Sequence, residues 1–165
     1  MKHVVVSILA LLLCSRAALG AASVIDEING RVDSIDRRIK DQDKTLPSIE
    51  TSYDFKDVTE GAPPQFSFFF DGGTGRLVAC RISVGHETWG RQFFYYFDDS
   101  EQIQKYLEVV PPGGSGPPPS RSAILYARDG TIVWRNFEGL PRQAPERIKA
   151  LYHALSKAGK EFGWP

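Results

Sequence analysis

The residues with the most catalytic character form a short cluster, GHETWG, at positions 85–90. His86 and Glu87 are adjacent there, and imidazole and carboxylate groups are common partners in general acid–base catalysis. Neighbouring residues on a strand point to opposite faces, so these two side chains would not share a site directly. The cluster also lacks the HExxH spacing of zinc proteases. We therefore predict a hairpin loop bent at Gly85 and Gly90, with His86 and Glu87 kept as the catalytic candidates.

Other sequence signatures of chemistry are missing from the chain. It has no GxSxG motif, no phosphate-binding loop and no dinucleotide fingerprint. The acidic turns DGGTG and DDSEQ lack the ligand spacing of a calcium loop. We expect no cofactor and no metal, and we favour a protein that is not an enzyme.

The first twenty residues have the layout of a secretory signal peptide. Lys2 and His3 precede an uncharged apolar stretch at 4–14, and small residues follow it. We place cleavage after Gly20 or two residues later. The apolar stretch is shorter than the ~20 residues of a spanning helix, so we expect no transmembrane span in the mature chain. The expected location is periplasmic or secreted, with lipoprotein anchoring at Cys14 as the alternative.

Charge and cysteine content narrow the possibilities further. The chain has 20 basic and 20 acidic residues and no formal net charge, so it lacks the basic surplus typical of nucleic-acid binding. Cleavage would leave Cys80 without a partner for an internal disulfide. Cys80 alternates with Val78, Ile82 and Val84, which predicts a buried thiol on a strand.

Residues 21–45 predict an amphipathic helix with a coiled-coil-like seam. The seam comprises Ile25, Ile28, Val32, Ile35 and Ile39, at helical spacing. Two interpretations stay open, because the pattern covers little more than two heptads. The seam either joins protomers in a homo-oligomer through residues 23–45, or packs on its own domain.

The rest of the chain predicts a connector at 46–65 and an α+β domain at 66–165. Three segments beginning at Phe68, Tyr95 and Leu125 each read as strand, Asp-containing turn, strand. We expect three hairpins in an antiparallel β-meander of about six strands, interrupted by a Pro/Gly-rich loop at 111–120. A C-terminal helix should pack on this sheet. The pattern occurs in many unrelated β-proteins, so it assigns the chain to no family.

Alternation along the strands predicts which side chains contact solvent. Residues 93–97 are aromatic on both sides, so both faces of that strand need cover. The C-terminal helix would supply one cover, and the N-terminal helix, the connector or a partner the other. The solvent face would show Arg81, Tyr106 and Arg135. Because Tyr, Trp and Arg are frequent interface anchors, the binding candidates are Trp89, Arg81, Tyr106 and Arg135.

These features predict an exported, non-catalytic binding or adaptor protein with a protein partner and no nucleic acid. One alternative is an inhibitor of an exported hydrolase, or a hydrolase itself that uses the His86–Glu87 loop. Another is a structural envelope protein that assembles through its N-terminal helix.

Overall fold

The described part of the chain forms helices and strands in the order expected of an α+β protein. The computed structural model describes residues 2–53, 63–86, 89–109, 123–137 and 145–161. Helix α1 is Lys2–Lys40 and helix α2 is Pro145–Glu161. The strands are β1 Ser48–Ser52, β2 Gln65–Phe70, β3 Leu77–His86, β4 Trp89–Phe97, β5 Ile103–Val109, β6 Ala123–Arg128 and β7 Thr131–Arg135.

The sheet is a meander in which every strand pairs antiparallel with its sequence neighbour. Its described strands number seven, in the order β1 to β7, and β2–β7 are the three predicted hairpins. The additional strand, β1, lies in the predicted connector and pairs with β2, with Ile49 opposite Phe68. Sequence periodicity missed β1 because Ile49 is the single buried position among its five residues. The extended piece expected around 53–58 falls mostly on residues outside the described ranges.

The three Asp-containing turns all lie at the same end of the sheet, because they join β2 to β3, β4 to β5 and β6 to β7. Asp71 accepts backbone hydrogen bonds from Gly73 at 3.1 Å and Thr74 at 2.7 Å. The Thr74 hydroxyl and these backbone bonds hold the pKa of Asp71 below its ordinary value. Asp129 and Gly130 both have positive φ, as the predicted two-residue hairpin turn requires.

Helix α2 covers one face of the sheet, as the sequence predicts. Ile148 and Tyr152 are fully buried, and the Tyr152 ring lies 5.9 Å from the Phe68 ring. The Tyr152 hydroxyl donates a hydrogen bond to the Gly75 carbonyl at 2.6 Å. Burial raises the pKa of Tyr152 to about 12. This face of the sheet carries the larger aromatic core of the described residues.

Helix α1 packs on the other face of the sheet. It therefore supplies the second cover that the aromatic strand at 93–97 was expected to need. Ile28, Val32 and Ile35 of the predicted seam are buried against Ala79, Tyr96 and Tyr126. Two polar contacts add to this packing: Tyr96 donates to Asp36 at 2.9 Å, and Lys105 donates to Asn29 at 2.8 Å. Of the two interpretations of the seam, packing on its own domain is therefore what the structure shows.

The helix ends earlier than the predicted boundary at residue 45. Beyond Lys40 the chain turns, and Asp43 accepts hydrogen bonds from the Thr45 backbone at 2.8 Å and from Arg38 at 3.0 Å. Such local side-chain bonds compete with helical backbone bonding. They also hold the pKa of Asp43 below its ordinary value. At its other end α1 is continuous from Lys2 across the predicted cleavage site. No described helix combines enough length and apolar character to cross a membrane.

The predicted assignment of side chains to sheet faces is wrong at several positions. Val78 was expected on the side of Cys80 and Leu77 on the opposite side. Instead Leu77 lies in the core with Cys80 and Val78 packs on the α1 side, because the β2–β3 register shifts between Phe69 and Phe70. Tyr106 was expected on a solvent face, yet it is 1% exposed in the α2-side core. Alternation could not reveal this, because helices cover both faces and neither is wholly wet. The predicted burial of Cys80 is confirmed, and burial raises the pKa of its thiol.

Candidate functional site

The hairpin that carries the catalytic candidates joins β3 to β4. His86 pairs with Trp89 and Gly85 with Gly90, as the predicted hairpin requires. Gly85 has a φ of 144°, a conformation that favours glycine. Glu87 and the side chains of His86 and Trp89 lie outside what the structure describes. A catalytic role for the first two and a binding role for Trp89 therefore stay predictions.

The other three predicted binding residues do not share a surface. Arg81 lies on β3 on the α1 side, where its guanidinium carbon is 5.2 Å from the centre of the Phe94 ring. Tyr106 is buried on the α2 side. Arg135 is exposed on the edge strand β7, four strands from β3, or roughly 19 Å across the sheet. Arg81 is thus the one member of this set that lines a concavity we can describe.

That concavity, which we call the α1-side groove, lies where α1 ends and the sheet continues. Its volume is about 540 Å³. Its lining residues are Asp36, Ile39 and Lys40 from α1, and Arg81, Gln92, Phe94, Tyr96, Leu107 and Val109 from β3, β4 and β5. Helix α1 crosses the strands near the Asp-turn end of the sheet, where Asn29 contacts Lys105 and Asp36 contacts Tyr96, so the strand segments farther from those turns are left uncovered.

Arg81 is the positively charged side chain that the strands contribute to the groove. Its Nε atom is buried, and no hydrogen-bond acceptor reaches it among the described residues. Leaving a buried donor unpaired costs about 1–3 kcal/mol, because the group has lost its water and gained no protein partner. An acceptor that paired with this Nε after a rotation of the Arg81 side chain would remove that cost. The guanidinium is meanwhile held in place by its position over the Phe94 ring.

The charges around the groove favour an anionic group. Lys40 and Arg81 carry two positive charges and Asp36 carries one negative charge, which leaves a balance of +1 among the lining residues. Both Asp36 oxygens accept the Tyr96 hydroxyl, at 2.9 and 3.1 Å. Burial and the Asp36 charge raise the pKa of Tyr96, so this hydroxyl stays a neutral donor to Asp36. The groove therefore combines apolar walls with a net positive charge.

Two further clefts, of about 230 and 250 Å³, lie beside α1 at the end of the sheet that carries the Asp-containing turns. Their charged side chains are matched to one another. Arg31 and Arg128 both pair with Glu27, and Arg76 pairs with Asp99 at 3.2 Å. Because these charged side chains are paired with one another, they give a ligand little to bind. Within the described ranges, no group of three or more His, Cys, Asp or Glu side chains could hold a metal ion.

Sequence reasoning missed most of the groove. Leu107 and Val109 were expected in a closed core, but they line the groove and are partly buried. No sequence pattern shows where along the strands α1 would cross, and that crossing is what leaves these residues uncovered. Arg81 was expected on solvent, and it is partly buried instead.

Comparisons of the chain with protein-family models, with curated proteins and with solved structures found no match.

Proposed function

We propose that this chain is an exported, non-catalytic binding protein whose α1-side groove holds a segment of a partner protein. The observation that carries the proposal is the buried Arg81 Nε without an acceptor, on a side chain that lines an apolar groove. A catalytic cysteine needs an accessible thiol whose pKa is lowered, so that the reactive thiolate forms. The thiol of Cys80 is instead buried and its pKa is raised, which suppresses the reactive thiolate.

The chemistry of the groove specifies the segment that would fit it. Ile39, Phe94, Leu107 and Val109 offer apolar contact, and Arg81 offers a donor for a carboxylate. A charge-assisted hydrogen bond to a carboxylate is roughly twice as strong as a neutral one. We therefore expect an apolar segment that carries one Asp or Glu side chain. The N-terminal segment, with its basic start, apolar stretch and small residues, supports the exported part of the proposal.

The first test uses a peptide array rather than an unidentified ligand. Peptides of Leu and Val around a single Glu are compared with the same peptides carrying Gln. We expect the Glu peptides to bind more tightly, and Arg81→Met to abolish the difference. The matched control is Arg91→Met, since Arg91 lies on the neighbouring strand but pairs with Glu108 at 3.4 Å. Equal binding of Glu and Gln peptides by the unaltered protein would contradict the proposal.

The second test asks whether the groove is occupied in the cell. A photoreactive residue at Leu107 should form cross-links to a partner, whereas one at Ala150, exposed on α2, should form none to the same protein. Arg81→Met should remove the Leu107 cross-link. Mass spectrometry of the protein recovered from envelope and medium checks export, with Ala21 or Ser23 as the expected new N-terminus. A cross-link that survives Arg81→Met would assign the contact to another surface.

A further inference from the structure

Strand β7 is the last strand of the described sheet, and it exposes two large apolar side chains. Ile132 is 41% exposed and Trp134 is 44% exposed. An edge strand presents backbone donors and acceptors on its outer side, and proteins usually protect such edges with Lys, Pro or inward charges. The β7 sequence, TIVWR, has no Pro and has a single charged residue, Arg135, at its last position. The opposite edge strand, β1, is polar at its exposed positions and buries Ile49.

We propose that β7 pairs antiparallel with β7 of a second copy of this chain, about a twofold axis at Val133. This register places Ile132 opposite Trp134 of the second copy and Thr131 opposite its Arg135. Apolar side chains then meet apolar side chains, and no like charges face each other. A twofold contact requires this self-complementary order, which an arbitrary edge strand would not have.

The ends of the strand add charge complementarity. Asp129 lies in the turn just before β7, so this register brings it near Arg135 of the second copy, and an acidic and a basic residue approach each other. Because the twofold axis passes through Val133, the same Asp129–Arg135 approach occurs at both ends of the paired strands. This pattern favours a second copy over a strand of unrelated sequence.

The size of the edge predicts how tight the dimer is. Five residues extend roughly 17 Å, less than is needed to bury the ~800 Å² per partner of a standard interface. The β6–β7 register also shifts between Tyr126 and Ala127, and a bulge of this kind increases the local twist. The expected product is a reversible dimer with a dissociation constant in the micromolar range.

The first experiment measures mass by sedimentation equilibrium over roughly two decades of concentration, because self-association follows mass action. The sample is protein expressed from the full-length chain. The mass should rise from monomer to dimer. Ile132→Lys should weaken association at least about tenfold, since each substitution acts twice at a twofold contact. Tyr53→Lys is the matched control: Tyr53 is 45% exposed next to the opposite edge strand and should leave the dimer unchanged.

The second experiment reads the register by disulfide formation. Val133→Cys is introduced together with Cys14→Ser, and Cys80 stays unreactive because it is buried. Directly opposed residues on antiparallel strands have Cα atoms about 4.5–5.5 Å apart, within the range that a disulfide spans. Mild oxidation should therefore cross-link Val133→Cys. Thr131→Cys should not cross-link, because the register places Thr131 opposite Arg135 of the second copy.

Circular dichroism of each variant checks that the fold is retained. The proposal is overturned by a monomer at every concentration, by a dimer that Ile132→Lys leaves intact, or by equal cross-linking of the two cysteine variants. It is also overturned if β7 takes up an extended peptide from another protein while the chain stays monomeric. Arg81→Met lies on another part of the sheet and should not change the dimer, so this test is independent of the groove.

Discussion

Replacing Arg81 with methionine is expected to make the protein more stable while it abolishes binding in the α1-side groove. Methionine keeps an unbranched apolar stem and removes the buried Nε that lacks an acceptor. Relief of an unpaired buried donor is worth about 1–3 kcal/mol. The lost contact with the Phe94 ring offsets about 0.5–1 kcal/mol of that. Because the Nε atom itself is buried, we take the middle of the range, about 2 kcal/mol. The net gain is then about 1 kcal/mol in the free energy of unfolding.

The assay is thermal unfolding followed by circular dichroism, with and without a bound Glu peptide. A gain of about 1 kcal/mol raises the midpoint by about 2–4 °C for a chain of this size. Arg91→Met serves as the control, because Arg91 pairs with Glu108 and its loss should lower the midpoint slightly. The Glu peptide should stabilise the unaltered protein and leave Arg81→Met unaffected. If Arg81→Met lowered the midpoint as much as Arg91→Met does, the reasoning from the unpaired Nε would be refuted.

Three further predictions test the fold around the site. Val32→Ala should cost about 2 kcal/mol, since it removes two buried methyl groups at the α1–sheet contact. By contrast, Gly30→Ala should stabilise the same helix by about 1 kcal/mol, because an added Cβ would meet open space; equal effects in chemical denaturation would contradict the packing of α1. Asp71 has a folded-state pKa below its unfolded value, so its contribution is present above the unfolded pKa and lost as pH falls through the folded pKa. Asp71→Asn should accordingly flatten the acid side of a stability–pH curve, and an unchanged curve would count against the turn. Finally, Cys80 should resist a thiol reagent at pH about 8 until the protein unfolds, and labelling of the folded protein faster than its unfolding would show that the thiol is accessible.

The elements of this fold were largely predictable from the sequence because they depend on local patterns. The seam of α1 repeats at helical spacing, and strands β2–β7 are separated by turns that Asp71, Asp98 and Asp129 form through local geometry. Strand β1 was not predictable in the same way. Its register along β2 comes from backbone pairing, with Ile49 as the single buried position.

The candidate site was predictable only in part, because it depends on contacts between distant segments. Arg81 could be recognised as a candidate anchor by residue type, but Tyr106 was chosen on an alternation that fails when both faces of a sheet are covered. Phe94, Leu107 and Val109 look like ordinary core residues in the sequence. Their exposure in a groove results from the line along which α1 crosses the strands, and the residues that set this line lie far away along the chain.

By itself, the sequence determined the helices, the hairpins and the burial of Cys80, because backbone turns and apolar periodicity act over a few residues. The tertiary structure decided which face each strand presents, that α1 packs on its own domain, and where the sheet is left uncovered. The physical reason is that a helix is only about 10 Å wide, whereas strands as long as β3 to β5 extend roughly 23–34 Å. A single helix that lies across the strands therefore covers only part of their length, and no short stretch of sequence contains both elements.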